Sequence, residues 1–230
     1  ALFAACAELG TVRLVVQLSA LGADEQATTA YHLSKKAADD YLAGLPVPSW
    51  IVQPSLIYGK DGASARAFRM LASMPLTVRF GDAPQLVQPV HIDDVTAAFV
   101  ALVRSVPEAD AASGRRLPLV GPEALPFTDY LGALRRAMGM GRQRVLRLPG
   151  GVARALAGLG RWLPGAMLDR DALAMLDRGN TADMAPTTQL LGRAPRPISS
   201  FIDDPGAERA QAKLLWLLPM LRASIAAVWI

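Results

Sequence analysis

Apolar residues along this chain come in short runs separated by turn-rich stretches. Residues 12–18 (VRLVVQL) are rich in valine and bounded by Gly10 and Gly22, which predicts a buried strand of the kind found inside a parallel sheet. A polar loop over 23–29 leads into a helical pattern over 30–43. A second strand is expected over 49–53 (SWIVQ), ended by Pro54, before a loop holding Gly59 and Gly62. Strand, crossover helix and strand again is the βαβ logic of an α/β domain. Residues 64–74 read as a helix. Residues 88–92 read as a short strand feeding a helix over 95–103, with Asp93 or Asp94 as its N-cap.

From about residue 107 the texture changes. Strands are expected over 116–120 and 144–148, and helices over 128–138, 151–163 and 171–176. Residues 185–204 form a proline-containing tail that Leu190, Leu191 and Phe201 would anchor. The first residues (Leu2, Phe3, Ala5, Cys6, Leu9) read as the tail of a helix already under way, without the charged leader of a signal peptide. Residues 214–230 are the most apolar stretch, and two readings fit them. A membrane helix would start near Ala223 with Arg222 at the interface, because an arginine at the bilayer centre costs about 2.5–3.5 kcal/mol. Alternatively, an amphipathic helix packs on the domain.

Composition narrows the class. With 230 residues, 52% hydrophobic and 19% charged, the chain is globular and long enough for one large domain or one and a half ordinary ones. The single cysteine, Cys6, excludes an internal disulfide framework and a cysteine-based zinc site, and it suits a reducing, cytoplasmic compartment. The net charge of +4 is spread among interspersed acids and bases, with no basic tract for nucleic acid.

Candidate chemistry lies between Ser19 and Gly59. Tyr31 and Lys35 are four apart at the start of a helix and share one face. A tyrosine of ordinary pKa near ~10 is a poor acid at neutral pH, and a neighbouring cation favours the phenolate. Ser19 follows the first buried strand, at the sheet edge where α/β folds present ligands, and its hydroxyl would bond a carbonyl oxygen as charge builds there. The trio suits hydride transfer to or from a carbonyl. The bare Tyr-x-x-x-Lys spacing is weak evidence, since chance gives it at about 7% in this composition, and an exposed turn with a snorkelling lysine would look the same.

Five pieces in order add specificity: VVQLSALGA (15–23), YHLSK (31–35), QPSLIYG (53–59), PVHIDDVTAAF (89–99) and VGPEALPFTDYL (120–131). On these the chain resembles the extended and atypical short-chain dehydrogenase/reductases, with NAD-dependent epimerases and dehydratases among them. The resemblance covers most of residues 1–204. It implies an α/β fold, the C-terminal part of a Rossmann-like doubly wound parallel sheet with a small α/β substrate-side region. It implies an oxidoreductase or epimerase using NAD or NADP on a small-molecule carbonyl or alcohol. Tyr31 would donate or accept the proton. Lys35 would lower its pKa and bond the nicotinamide ribose, and Ser19 would orient the carbonyl. Pro54, Ser55 and Leu56 would lie against the nicotinamide, and the run from His91 to Asp94 would bridge cofactor and substrate regions.

The departures shape the remaining expectations. The glycine-rich fingerprint that seats a pyrophosphate on a helix N-terminus is absent from all 230 residues. Roughly a hundred residues of the domain, the adenosine-binding half, are therefore expected to lie before Ala1, and the 230 residues alone are expected to be inactive. Ala20 stands where relatives often carry a second serine, and KKAADDYL (35–42) replaces a usual Gly-Glu pair in what reads as surface drift. The segments 167–183 and 212–230 resemble bacterial members that continue into a DoxX-like membrane domain. That resemblance implies attachment to the inner face of the membrane and a lipophilic substrate. The expected organisation is thus 1–106 as the C-terminal half of the dinucleotide-binding domain, 107–204 as the substrate-side region, and 205–230 as a linker entering a membrane helix. Oligomeric state stays open. A non-catalytic assembly or regulatory protein, like the accessory subunit of respiratory complex I, is the alternative.

Overall fold

The computed structural model describes residues 1–80, 84–105, 113–148 and 170–228. In chain order its elements begin with α1 (Leu2–Glu8), β1 (Val15–Leu18), α2 (Ala30–Ala43), β2 (Ser49–Pro54), β3 (Ile57–Tyr58), α3 (Ala63–Ser73) and β4 (Leu76–Phe80). There follow β5 (Leu86–Val87), β6 (Val90–His91), α4 (Ile92–Arg104), β7 (Arg115–Leu119), β8 (Leu125–Pro126), α5 (Phe127–Ala137) and β9 (Arg144–Leu148). The last are α6 (Arg170–Arg178), α7 (Ala185–Leu191) and α8 (Pro205–Val228). The helix expected over 151–163 lies outside the described residues.

The chain forms two compact units. The first comprises Ala1–Ile57, Leu86–Ala124 and Asp171–Arg196. Among its described residues, a parallel sheet runs in the order β1-β2-β7, with Val16 opposite Trp50 and Val52 opposite Leu117. Side chains alternate faces along a strand, so neighbouring residues of β2 enter different cores. Ile51 packs with Leu42 and Val47 beneath Phe3 and Ala7 of α1. Val52 packs with Leu117, Leu119 and the α4 residues Val95, Ala98 and Leu102, with Leu190 and Leu191 of α7 against them. The result is helices on both faces of a parallel sheet, which is why the centre of β2, Trp50 to Val52, is apolar on both faces. At the exit of β7, Gly121 donates its N–H to the Gln88 carbonyl at 3.2 Å, and a Cβ there would stand 1.9 Å from the Pro89 oxygen. Only glycine allows that approach.

α4 differs from expectation at its start. His91 is the N-cap, its Nδ1 accepting the Asp93 N–H at 3.2 Å. Asp94 is instead fully buried, taking the Arg193 guanidinium at 2.6 Å and the Arg196 N–H at 2.7 Å. Its carboxylate fastens residues 193–196 to the helix.

The second unit comprises Tyr58–Gln85, Leu125–Arg170 and Pro197–Ile230. There β4 and β9 pair in parallel, Leu76 opposite Arg144, and Phe68 of α3 meets Phe127 and Tyr130 of α5 edge-on at 5.7 Å between centroids. A buried ion pair joins α3 to α8, with Arg69 Nη1 2.5 Å from Glu208 Oε2. The Tyr58 hydroxyl donates to the same oxygen at 3.2 Å, and the Asp203 N–H to Oε1 at 3.1 Å. Burial, with the Glu208 charge beside it, pushes the Tyr58 phenol far up.

The expected membrane helix beginning near Ala223, and with it the DoxX-like domain, finds no support among the described residues. No helix among the described residues is long and apolar enough to cross a membrane. α8 has 24 residues, about 36 Å at the usual rise, but it carries Glu208, Arg209, Lys213 and Arg222. Its spacing of four places Glu208, Ala212 and Trp216 on one face. Glu208 and Ala212 are buried, and the Trp216 Nε1–H donates to Ser73 Oγ at 2.9 Å. The packed-helix reading holds for this half of α8, and nothing in the fold supports membrane attachment or a lipophilic substrate.

Breaking the buried pair leaves a lone charge in a dry setting, so Glu208→Ala is expected to cost about 3–5 kcal/mol in urea unfolding. Replacing both partners at once, Arg69→Met with Glu208→Leu, is expected to restore most of that loss. A double variant as unstable as the single one would show that the ion pair does not carry the anchoring.

Candidate active site

The sheet of the first unit places its loops at the carboxyl ends of three parallel strands, the edge at which α/β folds hold ligands. Ser19 is the first residue beyond β1. Its N–H donates to the Val52 carbonyl at 2.8 Å, continuing the ladder, and its side chain is buried. The loop that follows is self-supported, with the Gln26 N–H donating to Asp24 Oδ1 at 2.8 Å. Thr29 then caps α2 by accepting the His32 N–H at 3.3 Å. Capping there fixes the start of the helix and so the direction in which its first turns project.

On α2, Tyr31, Lys35 and Asp39 fall four apart and share one face. Lys35 Nζ donates to the carbonyl of Leu18 at 3.0 Å, beside Ser19. The fold thus brings Lys35 and Ser19 to adjacent positions. Tyr31 is 49% exposed, its ring tilted against His32 at 5.4 Å between centroids. Burial of the remaining half pushes the Tyr31 phenol up, opposite in direction to what an ammonium close to the phenol would do. The Lys35 ammonium is instead engaged with a backbone carbonyl.

The turn after β2 is tightly tied. Pro54 accepts the Leu21 N–H at 2.9 Å, the Ser55 N–H donates to Leu119 at 3.0 Å, and Leu56 accepts the Val90 N–H at 3.0 Å. The Ser55 hydroxyl donates to the Gln88 carbonyl. The Gln88 amide in turn donates to the Gly121 carbonyl at 2.9 Å and accepts the Ala182 N–H at 3.0 Å. Gln88 therefore pins the turns that follow β2 and β7 to the segment after α6.

Sequence reasoning missed two groups beside the trio. One is Asp39. Far from drifting on the surface, it is fully buried, and Ser19 Oγ donates to its Oδ2 at 2.5 Å. The Gln53 amide reaches the same oxygen at 3.5 Å, while Asp39 Oδ1 has no hydrogen-bond partner among the described residues. Burial raises the Asp39 carboxyl, against the lowering pull of the Ser19 hydroxyl, the Arg116 charge, the Gln53 amide and the Lys35 charge. Its spacing of four from Lys35 was the available signal. The other is Arg178, which ends α6. It donates to the Gly22 carbonyl at 2.7 Å and to both carboxylate oxygens of Asp24. Gly22 has φ +98°, and a Cβ there would meet the His32 ring at 3.1 Å and the Arg178 guanidinium at 3.3 Å. No local pattern announces a partner so distant in sequence.

Burial and the Arg178 charge together lower the His32 pKa, against the opposing Asp24 carboxylate. The chain has two histidines, His32 and His91, so their ring carbon-bound protons are separable by NMR. Arg178→Met is expected to raise the His32 midpoint toward the ordinary ~6.5. An unchanged His32 midpoint would show that Arg178 does not reach it electrostatically.

No family model matches the chain, and no curated protein matches it. Solved structures do. A protein designated gox2253 has TM-score 0.62 and 23% identity over 91% of this chain and 69% of its own. A nucleoside-diphosphate-sugar epimerase from Staphylococcus aureus has TM-score 0.62 and 16% identity, covering 87% of this chain and 67% of its own. UDP-glucuronic acid 4-epimerase from Bacillus cereus, solved with UDP-glucuronic acid and NAD, has TM-score 0.56 and 20% identity, covering 94% and 66%. The chain thus spans about two-thirds of the length of these proteins. At such identities the likeness establishes the fold: a mixed α/β architecture with parallel sheets, of the Rossmann-like kind found in nucleotide-sugar epimerases.

Proposed function

We propose that this chain belongs to an NAD(P)-dependent oxidoreductase or epimerase of the short-chain dehydrogenase/reductase type, acting at a carbonyl or alcohol of a small molecule. The observation that carries it is the meeting of Lys35 with the strand end bearing Ser19, with Tyr31 one turn earlier on the same helix face. A phenol, an ammonium with donors to spare beyond the Leu18 bond, and a hydroxyl make a donor set that fits the nicotinamide-ribose end of a dinucleotide. The pyrophosphate end has no matching loop, since no glycine fingerprint occurs in the 230 residues. Nicotinamide supplies hydride transfer when bound. The proposed division of labour gives Tyr31 the proton at its phenolic oxygen, Lys35 the ribose hydroxyls and Ser19 the substrate oxygen. Pro54, Ser55 and Leu56 would form a stiff wall beside the ring. The sugar nucleotides of the solved neighbours make a hexose linked to a nucleoside diphosphate the first substrate class to test.

A second reading, a non-catalytic binding or assembly protein, is favoured by two observations. The Tyr31 phenol is raised rather than lowered, and Ser19 is buried with its proton given to Asp39. The two readings part on one variant. Tyr31→Phe removes the proton-transfer group and is expected to lower NAD(P)-linked turnover of the whole protein by about 10²–10⁴-fold, with the cofactor dissociation constant within about twofold of wild type. Turnover followed by nicotinamide absorbance and binding followed by calorimetry supply the two numbers. Equal turnover in wild type and variant would overturn the catalytic reading.

A further inference from the structure

Asp39 is a fully buried carboxyl group beside the proposed reacting groups, and the roles assigned above leave it unused. Four elements face it. Ser19 follows β1, and Gln53 lies on β2. Arg116 on β7 acts on it through its charge, as does Lys35 one helical turn earlier on α2. One oxygen receives the Ser19 proton at 2.5 Å, and the other, Oδ1, has no hydrogen-bond partner among the described residues. A buried acceptor left unpaired costs free energy, so an unused oxygen beside a reacting hydroxyl calls for an explanation.

Resting on the function proposed above, we infer that Asp39 is the positioning residue for Ser19, and that its protonation sets whether the Ser19 hydroxyl accepts from the substrate oxygen or donates to it. The reasoning is a count of protons. A serine hydroxyl has one proton and two lone pairs. With Asp39 ionised, that proton lies on the bond to Oδ2, and Ser19 offers only lone pairs, which suits a substrate alcohol that donates. When Asp39 takes one proton from solvent, the new O–H donates to Ser19 Oγ. The serine proton is then released toward a substrate carbonyl oxygen, where it stabilises developing charge. One proton enters and no other bond changes. Burial of Asp39 away from water brings its protonated form closer to working pH.

Two measurements test this on the whole protein. In the first, the carboxyl carbons of aspartate are labelled and titrated by NMR, the Asp39 signal being the one lost in Asp39→Asn. Its midpoint is expected above the ordinary value of ~3.9, and Ser19→Ala is expected to raise it further by removing the bond that favours the anion. A midpoint in the ordinary range, or one indifferent to Ser19→Ala, overturns the coupling. In the second, diacetyl reduction by NADH or NADPH and acetoin oxidation by NAD or NADP are followed across pH. The wild-type ratio of reduction to oxidation is expected to fall more steeply with rising pH than in Asp39→Asn, which is neutral throughout. Cofactor affinity is expected to stay within twofold. Identical pH profiles overturn the role, because a merely structural aspartate would change the size of the rates but not their pH dependence. A wild type that moves hydride neither with this pair nor with a hexose linked to a nucleoside diphosphate overturns the function of the preceding section and the positioning role with it. A coupled carboxyl titration would then show that the fault lies in the function, not in the pair.

Discussion

A strand buried on both faces is the constraint on which the first unit depends. β2 sends Ile51 into the layer made by α1 and α2 and Val52 into the layer made by α4 and α7, while its backbone pairs with β1 and β7. A shift of one residue would exchange the two faces and unpack both cores at once, so the register is strongly specified. The same ladder delivers Ser19, Ser55 and Gly121 to one edge, because the three strands run parallel and end together. The candidate site is thus a by-product of the packing of a six-residue strand.

Much of this was legible beforehand, and for physical reasons. Ser49 to Pro54 announces a buried parallel strand by the apolar run at its centre, Trp50 to Val52, and Tyr31 with Lys35 announces a helix face by its spacing. Val15 to Leu18 pairs in parallel as expected but is only partly buried, with Leu18 43% exposed. What sequence could not deliver was environment. Asp39 sits in a polar stretch beside Asp40, and nothing local says that one aspartate is buried while its neighbour faces Lys36 and Arg116. α8 shows the same limit: its hydropathy resembles a membrane entry, while the burial of Glu208 and Ala212 in its first half could not be read from sequence. The cap of α4 was misassigned because His91 offers a ring nitrogen as acceptor where an aspartate is the commoner choice.

The two units solve the problem of a buried acid differently. Glu208 is met by a guanidinium, a phenol and a backbone N–H, so its charge is compensated on the spot. Asp39 has a hydroxyl and a distant amide, with Arg116 and Lys35 acting through space. The first arrangement suits an anchor. The second leaves a carboxyl short of partners, and burial raises its pKa.

The Arg178 contacts bear on how the molecule is born. The Gly22 carbonyl and the guanidinium that holds it are 156 residues apart in the chain. Closing so long a stretch is entropically expensive and slow, so contacts of this kind form late in folding. On the ribosome, the strands and α2 emerge well before residue 178 is synthesised. The loop carrying Gly22 and Asp24 therefore waits, unclamped, until Arg178, 156 residues further along the chain, has been made.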